Sequence, residues 1–263
     1  MESLKTRLAR GESVNVCAVG RVFHYNLIQM LGVHGGFHGV WFDLEHVGNT
    51  IENLEIGTLA ARAAGLDSFV RLAPTDYAAF SRSLECGASG VMAAQVRSAQ
   101  EAEQIVRWCK FYPLGNRGLN NGGYDAGFGK LGLAEYCERA NRETLVIVQI
   151  ETAEAVADCA AIAAVPGVDM LFLGPADLSQ NLGVAGDFFN PRCLQAMDQI
   201  SAACAQAGKV WGVVTVNQQY AQLCYEKGCR MFSPANDVKL INAGIAAIKQ
   251  GYPALFGAHS PPS

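Results

Sequence analysis

Short apolar runs alternate along the chain with longer segments of helical spacing, and eight such pairs can be counted. Runs rich in β-branched and aromatic residues, separated by amphipathic segments, are typical of parallel strands covered by helices. The predicted strands are Val14–Val19, Gly39–Asp43, Ser68–Leu72, Gly90–Ala94, Leu145–Ile150, Met170–Leu173, Val210–Val214 and Arg230–Ser233. Eight strand–helix pairs favour a closed (β/α)8 barrel over an open doubly wound sheet, which usually has fewer strands.

Capping residues set the bounds of several predicted helices. Asp76 and Ser98 each precede a helical segment, and Glu101 follows Ser98 at the spacing of a capping box. Helices are predicted at about Ser3–Arg10, from Asp76 to Gly87, after Ser98, and over Glu154–Ala164, Leu194–Ala207 and Gln218–Lys227. No linker or low-complexity tract divides the 263 residues, so we expect one α/β barrel domain over 1–263, with an N-terminal helix and a short disordered tail at about 257–263.

The composition fits this fold and excludes several partners. Half of the residues are apolar and 17% are charged, which supplies a large core, and the net charge of −4 argues against a general attraction to nucleic acid or acidic membranes. The start of the chain lacks an apolar signal segment, and no apolar run approaches the roughly 20 residues of a membrane helix. The nine cysteines include no C-x-x-C pair, so we interpret them as reduced core residues. We therefore expect a soluble, cytoplasmic protein.

Polar and ionisable side chains lie just where five consecutive apolar strands end. Functional groups of such barrels lie at the carboxyl ends of the strands. The groups at five consecutive strand ends are Asp43, Glu45 and His46, then Arg71, then Gln95, then Gln149 and Glu151, and finally Asp177. Chance would scatter ionisable groups over both ends, so the pattern predicts a site at this end of the barrel.

Two carboxylates on neighbouring strand ends, Glu151 and Asp177, can give a hard divalent cation two oxygen ligands. Water or a chelating substrate would complete the octahedron that Mg²⁺ or Mn²⁺ prefers. Alternatively, each carboxylate only caps local structure: Glu151 the helix that begins at Thr152, and Asp177 the turn at Leu178–Ser179. Their pairing on successive strands favours the metal.

Arg71 and His46 are the candidates for chemistry beside this cation. An arginine at the end of the third strand can bind a carboxylate or stabilise an enolate oxygen. Alternatively, it forms an ion pair with Asp43 or Glu151 that only closes the top of the barrel. His46 can move a proton near neutral pH, with Asp43 orienting its imidazole.

The segment 115–132 is rich in glycine and asparagine and is predicted to be a long loop. Long ordered loops in barrels often cover the site, but a mobile surface loop fits the sequence equally well. The segment contains no nucleotide-binding motif.

Several segments together resemble a known family. FYPLGNRGL, VIVQIETAEAV and GVDMLFLGPADLSQNLG resemble the metal-dependent (class II) aldolases of the 4-hydroxy-2-oxoheptanedioate and 2-dehydro-3-deoxyglucarate aldolase family. The resemblance runs from about Asp43 to Gly183 and continues more weakly to the C-terminus. It implies a (β/α)8 barrel of the phosphoenolpyruvate/pyruvate type and a homohexamer. It also implies cleavage or formation of a 4-hydroxy-2-oxo acid, as pyruvate plus an aldehyde, through a metal-bound enolate. The implied cofactor is Mg²⁺ or Mn²⁺, with Co²⁺ as a further candidate, and no organic cofactor.

The resemblance also assigns roles. Glu151 and Asp177 would be the metal ligands, Arg71 would hold the 2-oxo acid, and His46, supported by Asp43, would be the acid/base group acting through a metal-bound water. Glu85 falls where a neighbouring subunit often supplies an aspartate that supports this histidine. The further substrate contacts expected are Gln95, Gln149, Gly174, Pro175, Ala176 and Leu178.

The chain departs from the family pattern around the second substrate. Leu44 fills a place often held by glycine, Ala94 replaces a frequent proline, and Asn121–Tyr124 lies where many relatives carry an arginine. These departures leave the identity of the electrophile open.

The chemistry leaves alternatives of its own. The predicted strand ends carry no lysine for a Schiff base, and Lys209 lies at the start of the seventh strand, which favours the metal mechanism. A citrate-synthase-like enzyme or acyl-thioester lyase would use the same enolate with another electrophile. A phosphoenolpyruvate-utilising barrel and a non-catalytic ligand-binding barrel are the other two possibilities.

Overall fold

Eight parallel strands close a barrel in chain order in the computed structural model, which describes residues 2–257. The strands are β1 (Val14–Val19), β2 (Gly39–Asp43), β3 (Asp67–Leu72), β4 (Gly90–Ala93), β5 (Leu145–Ile150), β6 (Met170–Leu173), β7 (Val210–Val214) and β8 (Cys229–Asn236). The helices are α1 (Leu4–Ala9), α2 (Tyr25–His34), α3 (Ile51–Ala63), α4 (Tyr77–Glu85), α5 (Ala99–Cys109), α6 (Leu133–Glu143), α7 (Ala153–Ala157), α8 (Cys159–Ala164), α9 (Pro175–Asn181), α10 (Pro191–Gln206), α11 (Gln218–Glu226), α12 (Asp237–Gly251) and α13 (Pro253–Phe256).

The barrel and all eight predicted strands are confirmed, with small differences at their ends. The largest is in β8, which continues to Asn236 because Ala235 and Asn236 pair with β1 beyond a shift in register. The predicted helix Glu154–Ala164 is wrong as one element. It divides into α7 and α8 at Asp158, whose carboxylate accepts a hydrogen bond from the Ala99 amide at 2.7 Å and so supports the start of α5. Apart from Gly257, the predicted tail lies outside the described residues.

Alternation along the strands divides the core into two parts. Residues that face the barrel interior form the lumen core, and α1 closes its lower end with Leu4 and Leu8. The strand members of the lumen core are Val14, Val16, Ala18, Trp41, Phe69, Met92, Leu145, Ile147, Met170, Phe172 and Met231. Extending the same alternation towards the carboxyl ends reaches Asp43, Arg71, Gln149 and Gly174. The lumen is therefore mainly apolar below its polar mouth, and the buried Asp67 at the lower end accepts the Leu4 amide of α1 at 2.7 Å.

The last long helix, α12, does not cover its own barrel. Apart from Asp237 and Leu240, all of its residues are exposed, including Ile241, Ile245 and Ile248. Apolar side chains arranged in this way on one helix are typical of a surface that contacts another protein. Within residues 2–257, no helix is long and apolar enough to cross a membrane.

The cysteines behave as core residues, as predicted. All nine are unpaired, and every one except Cys137 is buried. Burial raises the pKa of the Cys109 thiol from 9.0 to about 12, because a thiolate would lose its hydration inside the apolar layer.

This burial predicts a loss of stability at alkaline pH. The unfolded thiol of Cys109 ionises near pH 9 and the folded one near pH 12, so its stabilising contribution is complete below pH 9 and declines as the pH rises towards 12. Cys109→Ala should reduce the decline in unfolding free energy between pH 9 and 11 by up to about 1.4 kcal/mol per pH unit. Urea unfolding at several pH values measures the slope. Cys137→Ala, at a half-buried position, is the control, and an equal change in both variants would contradict this explanation.

Candidate active site

At the mouth of the barrel, Asp43 holds Arg71 in a two-point contact. The two residues are cross-strand neighbours on β2 and β3. The Arg71 Nε and Nη2 atoms donate to Asp43 Oδ1 and Oδ2 at 3.1 and 2.7 Å. The pKa of the Asp43 carboxyl lies below its usual value: burial alone would raise it, but the hydrogen bonds and charge of Arg71 outweigh burial. The guanidinium therefore has a fixed position and orientation.

The same contact corrects the expected partner of His46. Asp43 does not orient the imidazole; its Oδ1 accepts hydrogen bonds from the backbone amides of Glu45 and His46 at 2.9 and 3.3 Å. The imidazole Nε2 lies nearest Glu45, 3.6 Å from Oε2, and the His46 side chain is 57% exposed. The physical reason is that both Asp43 oxygens are already engaged by Arg71 on the neighbouring strand.

Glu45 is the member of this group to which the sequence analysis gave no role. Its Oε2 atom lies 3.2 Å from Arg71 Nη1, on the side of the guanidinium opposite Asp43. The sequence signal was its place two residues after Asp43, since alternate residues share a face. Of the two partners that the alternative interpretation offered Arg71, the structure shows the ion pair with Asp43, and Glu45 is a second acid that this interpretation did not include.

Glu151 is buried beneath these groups. Its Oε1 accepts the Gln95 amide at 2.7 Å, and its Oε2 accepts the side-chain amide of Gln149. The pKa of Glu151 is raised to about 7, chiefly by burial; the charges of Glu45 and Asp177 contribute to the rise, whereas the Gln95 amide and Arg71 oppose it. The helix after Glu151 is capped by Thr152, whose side chain accepts the Ala155 amide, so Glu151 is not the cap.

Asp177 lies in the first turn of α9 and is half-buried. A carboxylate there is stabilised by the partial positive charge of the helix amino end. Gly174, which precedes the helix, packs against the carboxylate of Glu151: a Cβ at this position would lie 2.8 Å from Glu151 Oε2. The absence of a side chain therefore lets the start of α9 approach Glu151.

Among residues 2–257, no group of three or more His, Cys, Asp or Glu side chains is arranged to enclose a metal ion. The donors that the mouth offers are two carboxylates, Glu151 and Asp177, with Glu45 adding a third negative charge nearby. Such a set fits an open site for a hard cation, in which other ligands come from water and substrate. The elevated pKa of Glu151 supports this fit, because a cation would offset both the burial of its carboxylate and the smaller repulsion from the neighbouring ones.

The predicted substrate contacts are of different kinds. Gln95 has a left-handed backbone at φ 54°, and this conformation aims its amide at Glu151. Gln149 is buried and also bonds Glu151, whereas Ala176 is exposed. Pro175 and Leu178 are buried, and Leu178 packs in the layer between helices and strands. Its side chain is therefore not available to substrate in this structure.

Glu85 and most of the glycine-rich segment lie away from the mouth. Glu85 ends α4, and its carboxylate accepts a hydrogen bond from Asn120 at 3.1 Å. The segment 115–132 runs along the outside of α4, since Gly118 bonds the Tyr77 hydroxyl at one end of that helix and Tyr124 lies beside Gly87 at the other. It does not cover the mouth of its own barrel.

A buried cluster fixes this segment in place. Arg117 pairs with Asp125 at 2.6 Å, and the Tyr136 hydroxyl donates to the same carboxylate at 2.6 Å. The Arg117 guanidinium also lies over the Phe111 ring. These contacts anchor the segment at Arg117 and Asp125.

The fold and mouth define a barrel enzyme whose site combines paired carboxylates with a clamped arginine. Residues 27–243 match the family model described as HpcH/HpaI aldolase/citrate lyase. The chain belongs to this family of carbon–carbon lyases.

Known proteins show the same relationship over most of the chain. A hydroxypyruvate/pyruvate aldolase from Delftia acidovorans is 32% identical over 218 residues, covering 81% of this chain and 78% of that protein. A 4-hydroxy-2-oxo-heptane-1,7-dioate aldolase from Shigella sonnei is 30% identical over 225 residues, covering 86% and 84%. The crystal structure of citrate synthase SbnG superimposes with a TM-score of 0.85 at 28% identity, covering 98% of this chain and 99% of that one.

Proposed function

We propose that this protein cleaves or forms a 4-hydroxy-2-oxo acid, with pyruvate and an aldehyde as the other side of the reaction. The observation that carries the proposal is the meeting of a clamped arginine and a buried carboxylate at one barrel mouth. Arg71 lies close enough to Glu151 for its charge to lower the pKa of that carboxyl. A cationic donor beside a cation site is the arrangement that binds and polarises a 2-oxo acid.

We assign the polar side chains of the mouth separate roles in this reaction. Glu151 and Asp177 would hold the divalent cation, which supplies a Lewis acid for the keto oxygen of the 2-oxo acid. Arg71 donates hydrogen bonds to the substrate and stabilises the negative charge that develops during carbon–carbon bond cleavage. His46 takes the proton of the 4-hydroxyl group in cleavage and returns it to the aldehyde oxygen in synthesis. Its exposure leaves the imidazole accessible to substrate.

Oxygen-only ligands favour Mg²⁺ or Mn²⁺ as the metal, with Co²⁺ as a further candidate, and we propose that no organic cofactor takes part. A Schiff-base mechanism has no support at the mouth. Lys209 precedes β7 at the opposite end of the barrel, where its Nζ donates to the Val165 carbonyl at 3.0 Å.

We further propose a cytoplasmic homohexamer. The exposed apolar residues of α12 support self-association, and nine unpaired cysteines fit a reducing compartment. In such an assembly, Glu85 of a neighbouring subunit would support His46. Within residues 2–257, α4 carries Glu85 away from its own His46, because the helix runs from the mouth towards the other end of the barrel.

A second candidate is a citrate-synthase-like enzyme or acyl-thioester lyase. The similarity to citrate synthase SbnG favours it, as do Leu44 and Ala94 beside the mouth. The two candidates share the enolate and differ in the electrophile.

One comparison separates these candidates. Purified protein with Mg²⁺ or Mn²⁺ is assayed for pyruvate release from a panel of 4-hydroxy-2-oxo acids, and separately for thiol release from acetyl-CoA with oxaloacetate. Pyruvate release supports the aldolase, and thiol release alone supports the synthase. Phosphate release from phosphoenolpyruvate would favour a phosphoenolpyruvate-utilising enzyme. Absence of all three activities, with no metal bound, would favour a ligand-binding barrel.

A further inference from the structure

Glu45 lies between the arginine and the histidine of the proposed reaction. Its Oε2 atom is 3.2 Å from Arg71 Nη1 and 3.6 Å from His46 Nε2. This oxygen is buried, yet it has no hydrogen-bond partner among residues 2–257. The contact with Arg71 is thus close and electrostatic without the alignment of a hydrogen bond.

The Arg71 guanidinium contacts two carboxylates through different nitrogen atoms. Asp43 takes both Nε and Nη2 in aligned hydrogen bonds, whereas Glu45 only approaches Nη1. An incoming acceptor can therefore hydrogen-bond to Nη1 without disturbing the two hydrogen bonds between Arg71 and Asp43. A buried carboxylate oxygen without an aligned hydrogen-bond donor raises the free energy of the folded protein. A hydrogen bond from a better-placed donor would therefore stabilise the Glu45 carboxylate.

We propose that Glu45 is a positioning residue whose carboxylate moves from its contact with Arg71 to a hydrogen bond with His46 when the 2-oxo acid binds. An oxygen of the substrate takes Nη1, and Glu45 Oε2 then accepts the imidazole N–H of His46. Closing the 3.6 Å separation to hydrogen-bond distance needs a movement of less than about 1 Å. Binding of the oxo acid thereby orients the proton-transfer group before the aldehyde arrives.

This inference rests on the proposed function and predicts an ordered reaction. In synthesis the 2-oxo acid binds before the aldehyde, and in cleavage the aldehyde leaves before pyruvate. Glu45→Gln should lower kcat by about tenfold, because a neutral amide oxygen holds the imidazole N–H more weakly than a carboxylate does. The KM for the oxo acid should not rise, since the variant leaves Asp43 and its clamp on Arg71 unchanged. A purely structural role would instead raise KM and lower thermal stability together.

Nuclear magnetic resonance of ¹⁵N-histidine-labelled protein tests the transfer itself. His46→Asn assigns the His46 resonance, and pyruvate with Mg²⁺ is the probe. In the wild type, the imidazole nitrogen shift should move when pyruvate is added, and in Glu45→Gln it should move much less, because the charge-assisted hydrogen bond is lost. Glu52→Gln, at an exposed position in the first turn of α3, is the matched control and should behave as wild type.

The outcomes separate this inference from the proposed function. Carbon–carbon bond cleavage without any pyruvate-dependent shift of His46, or with the same shift in Glu45→Gln, overturns the role of Glu45. A shift that depends on Glu45, in a protein that cleaves no hydroxy-oxo acid, supports that role and overturns the aldolase proposal. Failure of pyruvate to bind overturns both.

Discussion

Replacing Arg71 with alanine is expected to lower kcat/KM for a 4-hydroxy-2-oxo acid by about 100- to 1,000-fold while divalent-metal binding persists. The guanidinium is the cationic hydrogen-bond donor at the mouth that Asp43 fixes in position, and its loss removes stabilisation that is strongest in the transition state. Its loss also leaves Asp43 and Glu45 without a cation. Steady-state kinetics and calorimetric Mn²⁺ titration measure the two properties separately.

Two further variants distinguish a loss of function in Arg71→Ala from misfolding. Arg71→Lys keeps a positive charge but cannot repeat the two-point contact with Asp43, so it should fold and still lose most activity. Arg97→Ala removes an exposed arginine whose contact with Glu154 is 3.9 Å long, and it should change neither property. Full turnover in folded Arg71→Ala would exclude the proposed role of the guanidinium.

Glu151→Gln is expected to weaken divalent-metal binding by more than about 100-fold and to abolish turnover, because one of the two proposed ligands is lost. The same change should stabilise the metal-free protein. The pKa of Glu151 rises from 4.5 to about 7 on folding, so its burial becomes destabilising as the pH rises through this window and stays so above pH 7. Glutamine removes a cost on the order of 3 kcal/mol at pH 7 and above.

The local geometry allows this substitution. A glutamine oxygen can still accept the Gln95 amide, and the side-chain oxygen of Gln149, which has no partner in the described structure, can turn to accept the new amide. Chemical unfolding in chelator, compared with Mn²⁺ titration, measures both effects. Glu154→Gln, on the exposed face of α7, is the matched control. Equal metal affinity in Glu151→Gln and wild type would remove Glu151 from the proposed ligand set.

The barrel could be predicted because its strands and helices are indicated by residues that lie close together in the sequence. Strands such as Leu145–Ile150 begin as continuous apolar runs, and polar residues appear only at Gln149 and Glu151, where the strand reaches the mouth. Helix ends followed their capping residues, as Asp76 and Ser98 show. The division of the predicted helix Glu154–Ala164 into α7 and α8 was missed because the break at Asp158 depends on a contact with α5, which lies about sixty residues earlier in the chain.

The sequence predicted which residues lie at the site, but not which of their side chains contact one another. Strand ends correctly grouped Asp43, Arg71 and Glu151 at one mouth. Which acid each cation contacts depends on side-chain directions and cross-strand register, so the pairing of Glu45 with His46 was missed. The glycine-rich segment could not be placed for a similar reason. Its position on the outside of α4 depends on Arg117 and its buried partners, which no local pattern reveals.

The central claim is that metal-dependent carbon–carbon bond cleavage occurs at this mouth. Its most direct test is the rate of pyruvate release from a 4-hydroxy-2-oxo acid in chelator-treated protein, before and after Mg²⁺ or Mn²⁺ is restored. We predict no release above background in chelator and full recovery with the cation, and no recovery in Glu151→Gln. Undiminished release in chelator, or recovery in the variant equal to that of the wild type, would contradict the claim.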